Sequence, residues 1–168
     1  AALVAAAERA GVAGFVLVSS LAAGGGGARP RVESDPPRPA SHYGKSKLEA
    51  EQHVLAAKAR MQVVIVRPPA VYGPGDTRMV ALFSAATRGL IPMVEASGSL
   101  SLVYGPDCAD ALVRALSARV PSGRVYYVAD GEPYGRREFA KLIGAGVGRR
   151  VRVLPVPTAA VVMAGSFN

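Results

Sequence analysis

The chain has 168 residues, half of them apolar and 19% charged, which is the composition of a folded domain and not of a disordered segment. Its formal charge of +8 raises nucleic acid or a membrane surface as partners. The cations are scattered, however: only Arg136/Arg137 and Arg149/Arg150/Arg152 cluster, and no aromatic ladder accompanies them, so nucleic-acid binding is not expected. Cys108 is the single cysteine, which excludes an internal disulfide framework and a cysteine metal site and is expected as a buried thiol. His42 and His53 lack a metal-ligand spacing, and no apolar run is long enough to span a membrane.

In chain order, "AALVAAAERA" (1–10) predicts a helix closed by Gly11. "GFVLVSS" (14–20) is a short run apolar on both faces, suited to a central parallel strand. Residues 21–40, with four glycines and four prolines, predict a flexible loop. Its glycine run does not open into a helix as a dinucleotide-binding turn does, but continues through Pro30, Pro36, Pro37 and Pro39. A helix is predicted over 42–60, then a buried strand in "MQVVIVRPP" stopped at Pro68. Helix, strand, loop, helix, strand is the alternation of a parallel sheet with crossover helices.

From Thr77 the order is more mixed. "MVALFSAATRGL" predicts a helix, "SLSLVYG" a strand and "PDCADALVRALSARV" a helix with Asp107 favouring its start. "GRVYYVAD" predicts a strand, "GRREFAKLIGAGVG" a helix and "RRVRVLPVP" a last extended piece. The expected fold is therefore α/β: a Rossmann-type, doubly wound parallel sheet over 1–76, and a smaller α/β substrate lobe over 77–168. Asp76 and Arg78 are expected as a solvated loop pair, and Glu49 and Glu51 as surface residues.

Three features share one edge of such a sheet. Ser19–Ser20 end one strand, Arg67-Pro68 end the next, and Tyr43-x-x-x-Lys47 lies at the start of the helix between them. Sites in parallel sheets form outside the carboxyl ends of the strands. Tyr43 and Lys47, four apart, share a helix face. An ammonium held beside a phenol favours the phenolate. A hydroxyl from Ser20 could bind the oxygen whose proton Tyr43 gives or takes. Alone, each element is more often an ordinary polar terminus or helix-surface pair. Their joint order favours a site.

"FVLVSSLA…YGKSKLEAEQ…VVIVRPPAVYGPGD" resembles the extended short-chain dehydrogenase/reductases, the NAD-dependent epimerase/dehydratase family, closely over 1–76 and more loosely over 77–157. The resemblance implies a catalytic triad of Ser20, Tyr43 and Lys47. Lys47 would also hold the nicotinamide ribose, with Tyr43 beside the cofactor and Pro68 and Val71 lining the nicotinamide pocket. NAD or NADP is the implied cofactor, a small molecule the substrate, and the cytoplasm the expected compartment. A homodimer through the helices at 1–10 and 42–60 is also implied.

Two departures shape the reading. The family's G-x-x-G-x-x-G fingerprint is not in the chain, which opens with Ala1 and is expected to be a fragment lacking roughly 100 residues of the cofactor half. Nucleotide-sugar enzymes of the family commonly carry an arginine just before the strand matching "LVYG", whereas this sequence has "SGSLSLVYG". Diphosphate recognition favours Arg or Lys. That shifts expectation towards hydroxysteroid- or dihydroflavonol-like substrates, with a nucleotide-sugar epimerase/dehydratase or a non-catalytic NAD(P)-binding protein as alternatives.

Overall fold

The computed structural model describes residues 1–27, 29–94, 99–117 and 119–156, without the side chains of Arg78 and Val94. In chain order the elements are α1 (Ala2–Arg9), β1 (Gly14–Val18), α2 (Leu21–Gly24), α3 (His42–Ala56), β2 (Gln62–Arg67) and β3 (Ala70–Tyr72). They continue with α4 (Thr77–Thr87), β4 (Leu90–Val94), β5 (Ser99–Leu100), β6 (Leu102–Tyr104) and α5 (Gly105–Ser117). β7 (Arg124–Tyr127), β8 (Tyr134–Gly135), α6 (Arg136–Gly146) and β9 (Arg152–Val156) complete the order.

Two compact units result, one of Ala1–Val71 with Leu102–Gly131, the other of Tyr72–Ser101 with Glu132–Asn168. The division expected at 76/77 follows chain order. The structure instead returns α5 and β7 to the first unit, because β7 is a strand of the first sheet.

That sheet is parallel, in the order β1-β2-β7. Val16 lies opposite Val64, and Val66 opposite Tyr126. β2 is the central strand. Val63, Val64, Ile65 and Val66 are each at most 1% exposed, and burial of such side chains contributes about 1.5–3 kcal/mol each. β1 was expected to be central as well. It is parallel, but among the described residues it pairs only with β2, and its residues are half-buried or exposed. On one face of the sheet Val4 and Ala7 of α1 pack with Val54, Ala57, Met61 and Val63, against Phe15 and Leu17. Arg60 and Glu8 tie the same region with a 2.9 Å ion pair.

The second unit packs α4 and α6 on the parallel pair β4–β9, around Ala86, Ile91, Ala140 and Ile143. β5 and β8 form a short antiparallel pair. β4 was not anticipated, since Pro92 interrupts its apolar run. In a two-stranded sheet every strand is an edge, so Pro92 opposite Leu154, and Pro155 opposite Met93, remove no necessary hydrogen bond. The end of the chain beyond Val156, and the Arg78 half of the anticipated Asp76/Arg78 pair, lie outside the described residues.

Among the described residues no helix is long and apolar enough to cross a membrane, and no three His, Cys, Asp or Glu side chains group as a metal site. Cys108 is buried, and burial pushes its thiol pKa up. Asp107 lies in the first turn of α5, as its expected helix-start role requires.

Candidate active site

The carboxyl ends of β1 and β2 are joined by backbone hydrogen bonds. The Ser19 N–H donates to the Val66 carbonyl at 2.7 Å and the Leu21 N–H to the Pro68 carbonyl at 2.8 Å. These bonds put Ser20 beside Pro68. Ser20 is extended and caps α2, its Oγ accepting from the Ala22 N–H at 3.2 Å. Pro68 is buried, and Val71 is half-buried in β3.

Tyr43 and Lys47 enter from α3. Ser41 starts this helix by accepting the Gly44 N–H at 3.0 Å. Gly44 is buried because α2 lies against it: a Cβ there would stand 2.4 Å from the Ala22 carbonyl oxygen. The close approach of α2 and α3 thus brings the Ser20 turn and the Tyr43 turn together. Tyr43 is 56% exposed. The Lys47 Nζ is 5.8 Å from the centre of the Tyr43 ring and donates to the Val18 carbonyl at 3.2 Å. Lysine is therefore fixed by the strand end next to Ser20, beneath the phenol it was expected to accompany.

Behind these residues is a buried polar cluster that corrects the expectation for Glu51. Glu51 is 1% exposed, Ser19 3% and Arg67 4%. The Arg67 Nε donates to Glu51 Oε1 at 2.8 Å and its Nη2 to Glu51 Oε2 at 2.6 Å. Ser19 Oγ donates to the same carboxylate, and Arg67 Nη1 donates to the Tyr127 hydroxyl at 2.9 Å. The carboxylate raises the Arg67 pKa above its ordinary value against the burial that opposes it. Glu51 could have been placed by spacing, since it follows Lys47 by one four-residue step on the same stripe of α3. An isolated carboxylate in a sequence points to solvent, whereas a paired charge can be buried. Glu49, expected at the surface, is exposed.

The loop expected to be flexible is held by its own charges. Arg29 binds both oxygens of Asp35, at 3.1 and 2.6 Å, and Asp35 also accepts the Val32 N–H at 3.0 Å. The Arg38 N–H and an Arg31 Nη2 donor converge on the Gly24 carbonyl.

These residues fit one end of a dinucleotide. An ammonium has three donors, and Lys47 gives one to Val18, which leaves donors for ribose hydroxyls. The glycine run does not supply a phosphate cradle at its start. A Cβ at Gly24 would stand 2.0 Å from the Tyr127 hydroxyl, and one at Gly25 2.0 Å from the Arg38 carbonyl, so both glycines are filled by protein contacts.

Residues 1–129 match the NAD dependent epimerase/dehydratase family. The chain is 33% identical to ceramide reductase of Caulobacter vibrioides, covering 97% of this chain and 48% of that protein. It is 31% identical to UDP-glucose 4-epimerase of Vibrio cholerae, covering 88% and 47%. Among solved structures, MoeE5 in complex with UDP-glucose and NAD superposes with a TM-score of 0.81 at 29% identity, over 92% of this chain and 55% of that one. The chain spans about half the length of the curated relatives it matches.

Proposed function

The chain belongs to the NAD-dependent epimerase/dehydratase family, and from that premise we propose that it carries the catalytic part of an NAD(P)-dependent oxidoreductase acting at a secondary alcohol or ketone. The observation that carries the reading is Lys47, anchored on the Val18 carbonyl and stationed 5.8 Å from the Tyr43 ring. In this reading Tyr43 is the general acid/base and is open to substrate. Its hydroxyl gives its proton to the carbonyl oxygen in reduction, leaving a phenolate, and in oxidation the phenolate oxygen takes the proton of the alcohol. Lys47, beside the Tyr43 ring, holds the ribose with the donors it does not give to Val18. Ser20 orients the substrate oxygen with its hydroxyl. Pro68 and Val71 line the nicotinamide pocket. The nicotinamide, when bound, supplies the hydride chemistry that protein side chains lack.

For the substrate we favour an apolar ketone or alcohol. The second unit holds a cavity of about 350 Å³ walled by Tyr72, Met79, Val80 and Phe83 together with the turn from Gly73 to Thr77. Apolar walls suit a lipid-like or steroid-like body, and one relative is named for ceramide. The rival is a nucleotide sugar, favoured by the UDP-glucose in the MoeE5 complex. The same proposal includes a cytoplasmic enzyme that dimerises through α1 and α3, where Leu3 is 71% exposed.

The test uses the intact polypeptide that contains this chain, with reduced nicotinamide cofactor and a panel of long-chain ketones, 3-ketosteroids and UDP-glucose. Turnover of an apolar ketone is expected, with Tyr43→Phe lowering it by about 10²-fold or more while cofactor still binds. Wild-type turnover in Tyr43→Phe refutes the mechanism, and turnover of UDP-glucose alone transfers the substrate assignment to the rival.

A further inference from the structure

We propose that the buried Glu51–Arg67 pair, with Ser19 and Tyr127, is a positioning clamp that sets the register of α3 against the strand ends and so places Tyr43 and Lys47. The inference rests on the reading of those two residues given above.

Tyr43, Lys47 and Glu51 follow one another at four-residue steps, each about 6 Å along the helix axis and about 40° round it. They form one stripe of α3. Its upper two members face the site, and the third is held by all three strands of the sheet. Glu51 takes Ser19 from the end of β1 and the Arg67 fork from the end of β2, and Arg67 passes the connection to Tyr127 at the end of β7. The gripped residues immediately precede Ser20 and Pro68. A displacement of α3 would therefore show directly as a displacement of Tyr43 and Lys47 relative to those two.

Packing alone does not require charges here. Burying an ion pair costs desolvation that its attraction often fails to exceed, and an apolar pair of similar volume is commonly as stable. What the pair adds is direction. A two-bond guanidinium–carboxylate fork has one favourable alignment, whereas apolar side chains can slide over one another. Proton transfer is sensitive to such sliding, since a misplacement of about 1 Å can lower rate by about 10²-fold.

The experiment compares Arg67→Lys and the paired replacement E51M/R67M with the parent, again as the intact polypeptide. Melting temperature, cofactor affinity, and kcat and KM for the best ketone of the panel are measured per folded molecule. Both variants are expected to fold and to lose kcat by about tenfold or more, with KM changed much less. A crystal structure of E51M/R67M is expected to show α3 displaced and the Lys47–Val18 contact lengthened. Parent kcat in folded E51M/R67M, or α3 unmoved with Lys47 still on Val18, overturns the proposal. Should the paired variant not fold, Arg67→Lys decides alone, because it keeps the charge but loses the fork: an undiminished kcat rejects the clamp. Failure of the catalytic reading has a different signature, parent-like turnover in Tyr43→Phe, and the position of α3 is read independently of turnover.

Discussion

Gly44→Ala tests the closest backbone contact at the site. The added Cβ would lie 2.4 Å from the Ala22 carbonyl oxygen and 3.1 Å from both the Ala22 carbonyl carbon and the Pro39 Cβ, where ordinary contact begins at 3.4 Å. The nearest obstacle is backbone and cannot rotate away, so α2 and α3 must part by up to about 1 Å. Alanine favours the helix by about 1 kcal/mol over glycine, whereas overpacking of this kind costs about 1–3 kcal/mol. Because the clash is with backbone at 2.4 Å, the steric cost lies in the upper part of that range, about 2–3 kcal/mol, and a net loss of about 1–2 kcal/mol is expected. At roughly 2–4 °C per kcal/mol for a chain of this size, the melting temperature should fall by about 2–8 °C in scanning calorimetry. Turnover of the intact polypeptide should fall with it, as Tyr43 and Lys47 flank the displaced residue. An unchanged or higher melting temperature would show that the helices separate freely, and the close approach would lose its role in placing the site.

Two further outcomes are expected. Ser41→Ala removes the cap on the Gly44 N–H and should cost about 1 kcal/mol; faster amide exchange confined to the first turn of α3 would confirm it, and unchanged exchange there would contradict it. Acid should loosen the 29–35 loop. Asp35 is held below its ordinary pKa, chiefly by its hydrogen bond from Arg29 and then by the Val32 N–H. Its contribution is complete above the ordinary carboxylate pKa of about 4 and disappears as pH falls through the lowered folded value. Chemical shifts of Val32 followed by NMR should therefore stay constant to below about pH 4, and a transition above that would refute the assignment.

The parallel order of β1 and β2 was legible because four consecutive apolar residues, Val63 to Val66, leave no polar face. The placement of Tyr43 and Lys47 on one face of α3, and of Ser20 and Pro68 at neighbouring strand ends, was legible from helical spacing and from where the apolar runs stop. The roles given to them come from the family resemblance. What was missed depends on contacts distant in sequence. Glu51 shows a surface character until Arg67 and Ser19 are known to meet it, and Tyr127 joins them only once β7 pairs with β2. β4 was obscured by Pro92, which only an edge position tolerates, whereas β9 was legible as an extended piece despite Pro155. The loop glycines were marked by composition, but the reason for two of them, the nearness of Tyr127 and Arg38, lies in tertiary structure.

The discontinuity of the first unit has a consequence for the order of assembly. During synthesis β1 and β2 emerge first, while β7 follows only after residues 72–101 of the second unit and α5 have been made. Until then β2, the strand that is most buried in the finished sheet, presents one edge of unmatched N–H and C=O groups. Such an edge is a template for any other extended segment, including the same strand on a neighbouring nascent chain. β7 therefore does more than complete a sheet: its late arrival closes the interval in which this polypeptide is most open to pairing with the wrong partner.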